Sequence, residues 1–114
     1  MKKIALTFLL IFPLICLADN VEIKKGMSFE KVRKMLIKNH WQPANTHVDD
    51  SYVFIGIEKI LKEKGYVELE SCSIDSSFCI FNFKKNDECL HLFTFGEQPG
   101  NLIVHKWTDE CPSY

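Results

Sequence analysis

Phe78-Cys79-Ile80-Phe81-Asn82-Phe83, then Lys84-Lys85-Asn86-Asp87-Glu88, then Cys89-Leu90-His91-Leu92-Phe93-Thr94-Phe95: this stretch decides the fold. Its two ends are rich in aromatic residues with a period of two, and the middle is polar and short, which predicts two antiparallel strands joined by a hairpin. The same rhythm continues outward. Tyr66 to Cys72 precede the stretch across Ser73-Ile74-Asp75-Ser76-Ser77, and Leu102 to Trp107 follow it across Gly96-Glu97-Gln98-Pro99-Gly100-Asn101. Short polar connections between four such runs predict an antiparallel meander.

Ahead of the strands the period changes to that of a helix. Phe29, Val32, Met35 and Leu36 recur at helical spacing behind Ser28, a good N-cap, and Met27 with Val32 can form a hydrophobic staple; Pro43 lies beyond the end, so a helix over about 28–40 is expected. A second helix is expected to open at Asp49, Asp50 and Ser51, to bury Val53, Phe54, Ile57, Ile60 and Leu61, and to stop at Gly65. The expected architecture is therefore α+β, with two N-terminal helices packed on one face of a four-stranded antiparallel meander.

Residues 1–18 read as a signal peptide and 19–114 as one domain. Lys2 and Lys3 precede an apolar run from Ile4 to Cys16, and Cys16-Leu17-Ala18 places small side chains at −3 and −1 before Asp19. The run, about 13 residues with Pro13 inside it, is short of the roughly 20 that a spanning helix needs. Leu14-Ile15-Cys16 has two features of a lipid-attachment box, but Ile15 is bulkier than such boxes use, so membrane attachment is expected only if Cys16 is lipidated. Removing Lys2 and Lys3 with the leader lowers the net charge from −1 to −3, which leaves no basic footprint for nucleic acid. Basic side chains gather in residues 19–40 and acidic ones in 65–114, a distribution suited to a basic protein partner.

Four cysteines follow the leader: Cys72, Cys79, Cys89 and Cys111. An even number in a short exported chain predicts disulfides. Three pairings are arithmetically open. A hairpin turning through 73–78 sets Cys72 opposite Cys79, and one turning at 97–100 brings Cys89 near Cys111, which favours those two bridges. The same registers sort the sheet into faces. Phe81, Phe83, Phe93, Phe95, Leu102 and Val104 are assigned to the helices, and Ile80, Leu90, Leu92, Ile103, His105 and Trp107 to the other side. A bare apolar face of that kind marks an interaction surface, so Leu90, Leu92, Ile103, His105 and Trp107 are the candidate partner-binding residues; a slipped strand, a bulge, or coverage by Val21 to Lys25 would alter the sorting.

No catalytic set stands out. His40 and His47 flank a turn with Asp49 and Asp50 nearby, yet the spacing fits no strong zinc pattern, and turn and cap roles account for all four. His91 and His105 are expected on opposite faces. Glu68 and Glu70 read as a solvated strand face, and neither G-x-S-x-G, a phosphate loop nor H-E-x-x-H occurs. No cofactor and no metal are expected.

Gly26-Met27-Ser28, Val32-Arg33, Leu36, Trp41-Gln42-Pro43 and the cysteine-bearing strands with Phe81 and Trp107 resemble a group of small exported proteobacterial proteins of unassigned function. More loosely, Gly-Met-Ser with Val32 and Leu36, then helix and meander, is similar to the helix-helix-sheet modules of β-lactamase inhibitor protein and of the small outer-membrane assembly lipoproteins of the SmpA/OmlA type. That resemblance implies binding of other proteins without catalysis, with the open sheet face as the inhibitor's contact surface. The expected function is a non-enzymatic periplasmic or secreted protein-binding module, possible roles being an inhibitor or an immunity protein, with another exported or periplasmic protein as partner. The alternatives are a structural envelope protein at the outer membrane and a small hydrolase or metal protein using His40, His47 and Asp50.

Overall fold

The computed structural model describes residues 21–75 and 77–113; the leader and Cys16 lie outside them. The chain is α+β, with helix α1 (Phe29–Lys38), strand β1 (Gln42–Pro43), helix α2 (Ile57–Glu63), then β2 (Leu69–Cys72), β3 (Phe78–Lys85), β4 (Glu88–Phe95), a 3₁₀ turn (Pro99–Asn101) and β5 (Ile103–Thr108). Among the described residues the antiparallel sheet has five strands, one more than expected. The extra strand is Gln42–Pro43, which pairs with Lys84 and Phe83 of β3. A two-residue strand ending in proline lacks the alternation that marks longer strands. It shares one edge of β3 with β2, which pairs nearer the other end through Leu69, Ser71 and Cys72.

Helix α1 forms as its spacing dictates. The Ser28 side chain accepts from the Lys31 N–H, and Phe29, Val32 and Leu36 are buried against the sheet. The Phe29 ring stacks on Phe81 at 4.0 Å between centroids. The segment leading into it and its first residue are tied to β5 and the residue before β5 by main-chain bonds, Gly26 N–H to Val104 O and Phe29 N–H to Leu102 O. Helix α2 is shorter than expected, because side chains draw the backbone of 49–55 away from helical bonds. Asp50 Oδ1 accepts from the Tyr52 N–H, Glu58 Oε1 accepts from the Ile55 N–H, and Asp49 and Gly56 take φ of 61°. What remains supplies Leu61 to the core and packs against β2 and the 3₁₀ turn, so α2 closes one end of the core while α1 covers the sheet.

Two local features re-sort the sheet faces. Strands β3 and β4 run on through Lys85 and Glu88 and turn through Asn86-Asp87 alone, with Asn86 in the left-handed region at φ 55°. A two-residue turn sets each phenylalanine of β3 opposite a non-aromatic residue of β4 on the core side: Phe81 faces Leu92 and Phe83 faces Leu90. Leu90 and Leu92 are consequently buried under α1, not bare as expected, while Phe93 and Phe95 move to the open face. Between β4 and β5 the register then shifts: Phe93 faces Lys106 but Thr94 faces Val104, so His105 is the extra residue of a bulge. Beyond it Trp107 pairs with Leu92 and lies at the rim of the α1 side, beside Val21, Ile23 and Leu36. Ile103 and His105 stay on the open face.

Both disulfides link the expected residues, Cys72 to Cys79 across β2 and β3 and Cys89 to Cys111 between β4 and the C-terminal segment. Such bridges belong to an oxidising compartment outside the cytoplasm. No helix among the described residues is long and apolar enough to cross a membrane. The bridges close segments of 7 and 22 residues, and chain entropy assigns them stabilisation of about 2 and about 3 kcal/mol. Urea melts of the paired serine variants should therefore show Cys89→Ser/Cys111→Ser losing about 1 kcal/mol more than Cys72→Ser/Cys79→Ser; the reverse order would mean that Cys111 binds a tail already held by other contacts.

Candidate functional site

The open face changes character along its length. At one end Phe78 pairs with Phe95 and Phe95 with Ile103, and the Phe78 ring meets Phe95 at 5.1 Å and His105 at 5.4 Å. Phe95 and Ile103 are 45% and 41% exposed. Phe78, Ile80, Phe93 and His105 line a shallow groove of about 370 Å³, with Ser71, Cys72 and Ser73 along its rim. Lys106 reaches over the Phe93 ring at 4.8 Å, a cation–π contact.

At the other end the face becomes polar and is partly covered. Asn82, opposite His91, is buried; its amide donates to Glu70 Oε1 at 2.8 Å, and its Oδ1 lies 2.7 Å from His91 Nδ1. An amide oxygen only accepts, so His91 carries its proton on Nδ1. The 44–56 loop lies over this end. His47 Nδ1 is 2.9 Å from Asp50 Oδ2, and its Nε2 is 2.6 Å from the Glu70 carbonyl oxygen. Together with Thr46 and Glu110 these residues line a cleft of about 460 Å³. The edge of the His91 ring against Phe93, 4.8 Å between centroids, joins this cleft to the apolar groove.

A third hollow, about 420 Å³, lies between the 44–56 loop and the hairpin ends and is lined by Tyr52, Val53, Ile55, Glu58, Ile74 and Gly96 among others. Val53 and Ile74 on its rim are 73% and 84% exposed. Its polar anchor is Glu58, buried to 4% exposure, whose carboxylate accepts from the Tyr52 hydroxyl at 2.6 Å, the Cys72 N–H at 2.7 Å and the Ile55 N–H at 3.2 Å. Burial, and then the bond to Glu58, push the Tyr52 phenol up to about 12 from its ordinary 10.0.

The structure separates the residues that spacing had grouped. His47 and Asp50 meet, whereas His40 stands beside Gln42 and Lys84 in a different hollow. Among the described residues no set of three or more His, Cys, Asp or Glu side chains could hold a metal ion. His91 and His105 share the open face, contrary to expectation, because the two-residue turn at Asn86-Asp87 sets His91 opposite Asn82 on the side of Phe93, while His105 stays on the face expected of it. Glu68 is not solvated at all: it is fully buried and paired with Arg33 of α1, one bond running from Nε and a second, 3.2 Å long, from Nη2. Its buried position and that of Glu58 escape sequence reading, since a charged residue beside Val67 and Leu69 has the same signature whether paired inside or wet outside. Comparison with protein families, with characterised proteins and with solved structures returned no match.

Because the neutral phenol is the favoured form, Tyr52 contributes stability below its ordinary 10.0, and the contribution is lost as pH rises through about 12. Ultraviolet titration should find Tyr52 ionising near that upper value. Glu58→Gln should lower it while leaving it above 10.0, since burial is the larger cause; an unmoved midpoint would separate the phenol from the carboxylate.

Proposed function

We propose that this chain is a non-enzymatic, periplasmic or secreted protein-binding module, and that it contacts its partner through the open face of the sheet. The observation that carries this reading is the aromatic end of that face: Phe78, Phe93, Phe95, Ile103 and His105 stand together on β3, β4 and β5, and no described element covers them. A monomeric domain gains nothing in solubility from such a patch, and aromatic anchors at the centre of a contact surface supply most of the affinity of protein complexes. Bringing the patch under a partner removes it from water at roughly 25 cal/mol per Å² of apolar area.

The partner's chemistry follows from the other end of the groove. Asp50, Glu70 and Glu110 line the adjoining cleft without a lysine or arginine among its lining residues. The fitting partner is an exported protein with a basic side chain next to an apolar one, the charge docking over the cleft and the apolar group on Phe93. Catalysis has less support. Both ring nitrogens of His47 are engaged by Asp50 and Glu70, and neither His47 nor His91 is hydrogen-bonded to a described serine, threonine or cysteine side chain that it could activate. The resemblance to inhibitor-type modules that use an open sheet face agrees with this assignment.

Capture from extracts of exported proteins tests it directly. Phe95→Glu and Ile103→Glu, both at exposed positions, should each weaken partner capture at least about tenfold while leaving the urea midpoint nearly unchanged. Added salt should weaken the wild-type complex. Wild-type capture by both variants would remove the open face from the contact.

A further inference from the structure

The 44–56 loop covers the polar end of the sheet and walls the hollow beside α2, yet it holds no regular structure over most of its length. Among the described residues only one side chain of this loop bonds directly to the sheet, and it is His47. Its two partners constrain its protonation. The Glu70 oxygen belongs to a backbone carbonyl, which can only accept, and Asp50 is a carboxylate, which accepts when ionised. A neutral imidazole has one N–H and can serve one of them; only the imidazolium serves both.

We propose that His47 is a proton-operated latch: protonated, it fastens the 44–56 loop to β2 through Glu70, and on losing its proton it releases one of its two bonds and lets the loop loosen. The surroundings favour the fastened form. Asp50 of the same loop and the Glu70 side chain from β2 are negative, and Glu110 of the C-terminal segment shares the cleft. His91 of β4 is the other group lining the cleft that can carry positive charge. Tyr52 stacks on the ring at 4.2 Å and Phe54 meets it edge-on at 5.3 Å. Behind them, α2 presents Glu58 to the Tyr52 hydroxyl and Lys62 to the Phe54 ring. Burial works against the charge, but the bonds to Glu70 and Asp50 outweigh it, so His47 stands above its ordinary 6.5 and Asp50 below its ordinary 3.8.

The sign follows. A raised histidine stabilises the closed loop fully below 6.5 and ceases to as pH climbs through its folded value; a lowered Asp50 removes its share only when strong acid protonates it. The loop is thus latched on the acid side of a midpoint above 6.5 and freed on its alkaline side. Tyr52, Val53 and Ile55 belong to the same loop, so release changes the wall of the hollow they line, with Glu58 still holding Tyr52 and Ile55 from α2. This device is independent of which partner the open face binds.

NMR on the intact, disulfide-bonded chain tests it. Between about pH 5 and about pH 9, long-range proton–nitrogen spectra should show both His47 ring nitrogens protonated up to a midpoint above 6.5. Through the same midpoint, amide protection of Tyr52 and Ile55, corrected for intrinsic exchange, should fall by about tenfold or more while the β3 and β4 amides keep theirs. His47→Asn should give low loop protection at every pH, and Asp50→Asn should move the midpoint down. A midpoint at or below 6.5, or loop protection that ignores the midpoint in the wild type, would overturn the proposal. The Asp50 variant carries the test if the His47 variant folds poorly.

Discussion

Helix α1 is a strap fastened at opposite edges of the sheet, and the remaining architecture follows from that constraint. Ahead of it, Gly26 and Met27 bond to Val104 on the outer edge of β5; after it, Gln42–Pro43 joins the outer edge of β3. From the first of these segments to the second the chain must cross four inter-strand spacings, about 19 Å at 4.8 Å each. Ten helical residues supply about 15 Å, and the cap residues at the two ends make up the difference. A shorter helix would leave one edge unpaired, and a longer one would overshoot it. Because the strap runs over one face only, the core forms beneath it as a single cluster that includes Phe29, Leu36, Phe81, Phe83, Leu92 and Val104. Arg33 projects from the middle of the strap to the buried Glu68, and its guanidinium also lies 4.4 Å from the centre of the Tyr66 ring. A carboxylate taken wholly out of water needs such a partner to offset its lost hydration, so the pair pins the strap to the entrance of β2.

The strands and the cysteine pairing are legible from the sequence because both depend on local rules. Alternation over six to eight residues fits a strand and little else, and a hairpin through 73–78 leaves Cys72 and Cys79 opposite each other whatever the rest does. The faces are less legible, because parity accumulates across turns. Counting Lys84 to Glu88 as the connection, when only Asn86-Asp87 turns, exchanges the partners of every phenylalanine. The bulge at His105 exchanges them again, for a reason no spacing reveals. The candidate partner residues therefore divide, Ile103 and His105 on the open face, Leu90 and Leu92 in the core, and Trp107 at the rim.

The same two irregularities determine what the open face offers. The other register could have placed Phe93 and Phe95 inside with Phe81 and Phe83. Instead the tight turn sends Phe93 and Phe95 outward beside Phe78, and the bulge adds Lys106 to the side of β5 that His105 already occupies. The loop between β1 and α2 then covers the wrong end for a protein minimising apolar exposure, since it shields buried Asn82 and leaves Phe95 in water. Polar coverage over polar residues satisfies hydrogen bonds, which is why the loop settles there: His47 finds Glu70, and Glu70 finds Asn82.

A domain with a core on one side of its sheet has less buried area to resist unfolding than a sandwich of equal length, and aromatic residues placed on an open face reduce it further. The disulfides offset that deficit. Cys72–Cys79 closes the hairpin beside the apolar groove, and Cys89–Cys111 secures the C-terminal segment that contributes Glu110 to the cleft. Both bridges act on the two ends of one continuous surface. Rigidity there lowers the ordering cost of any contact made with it, so the covalent links serve the surface as much as the core.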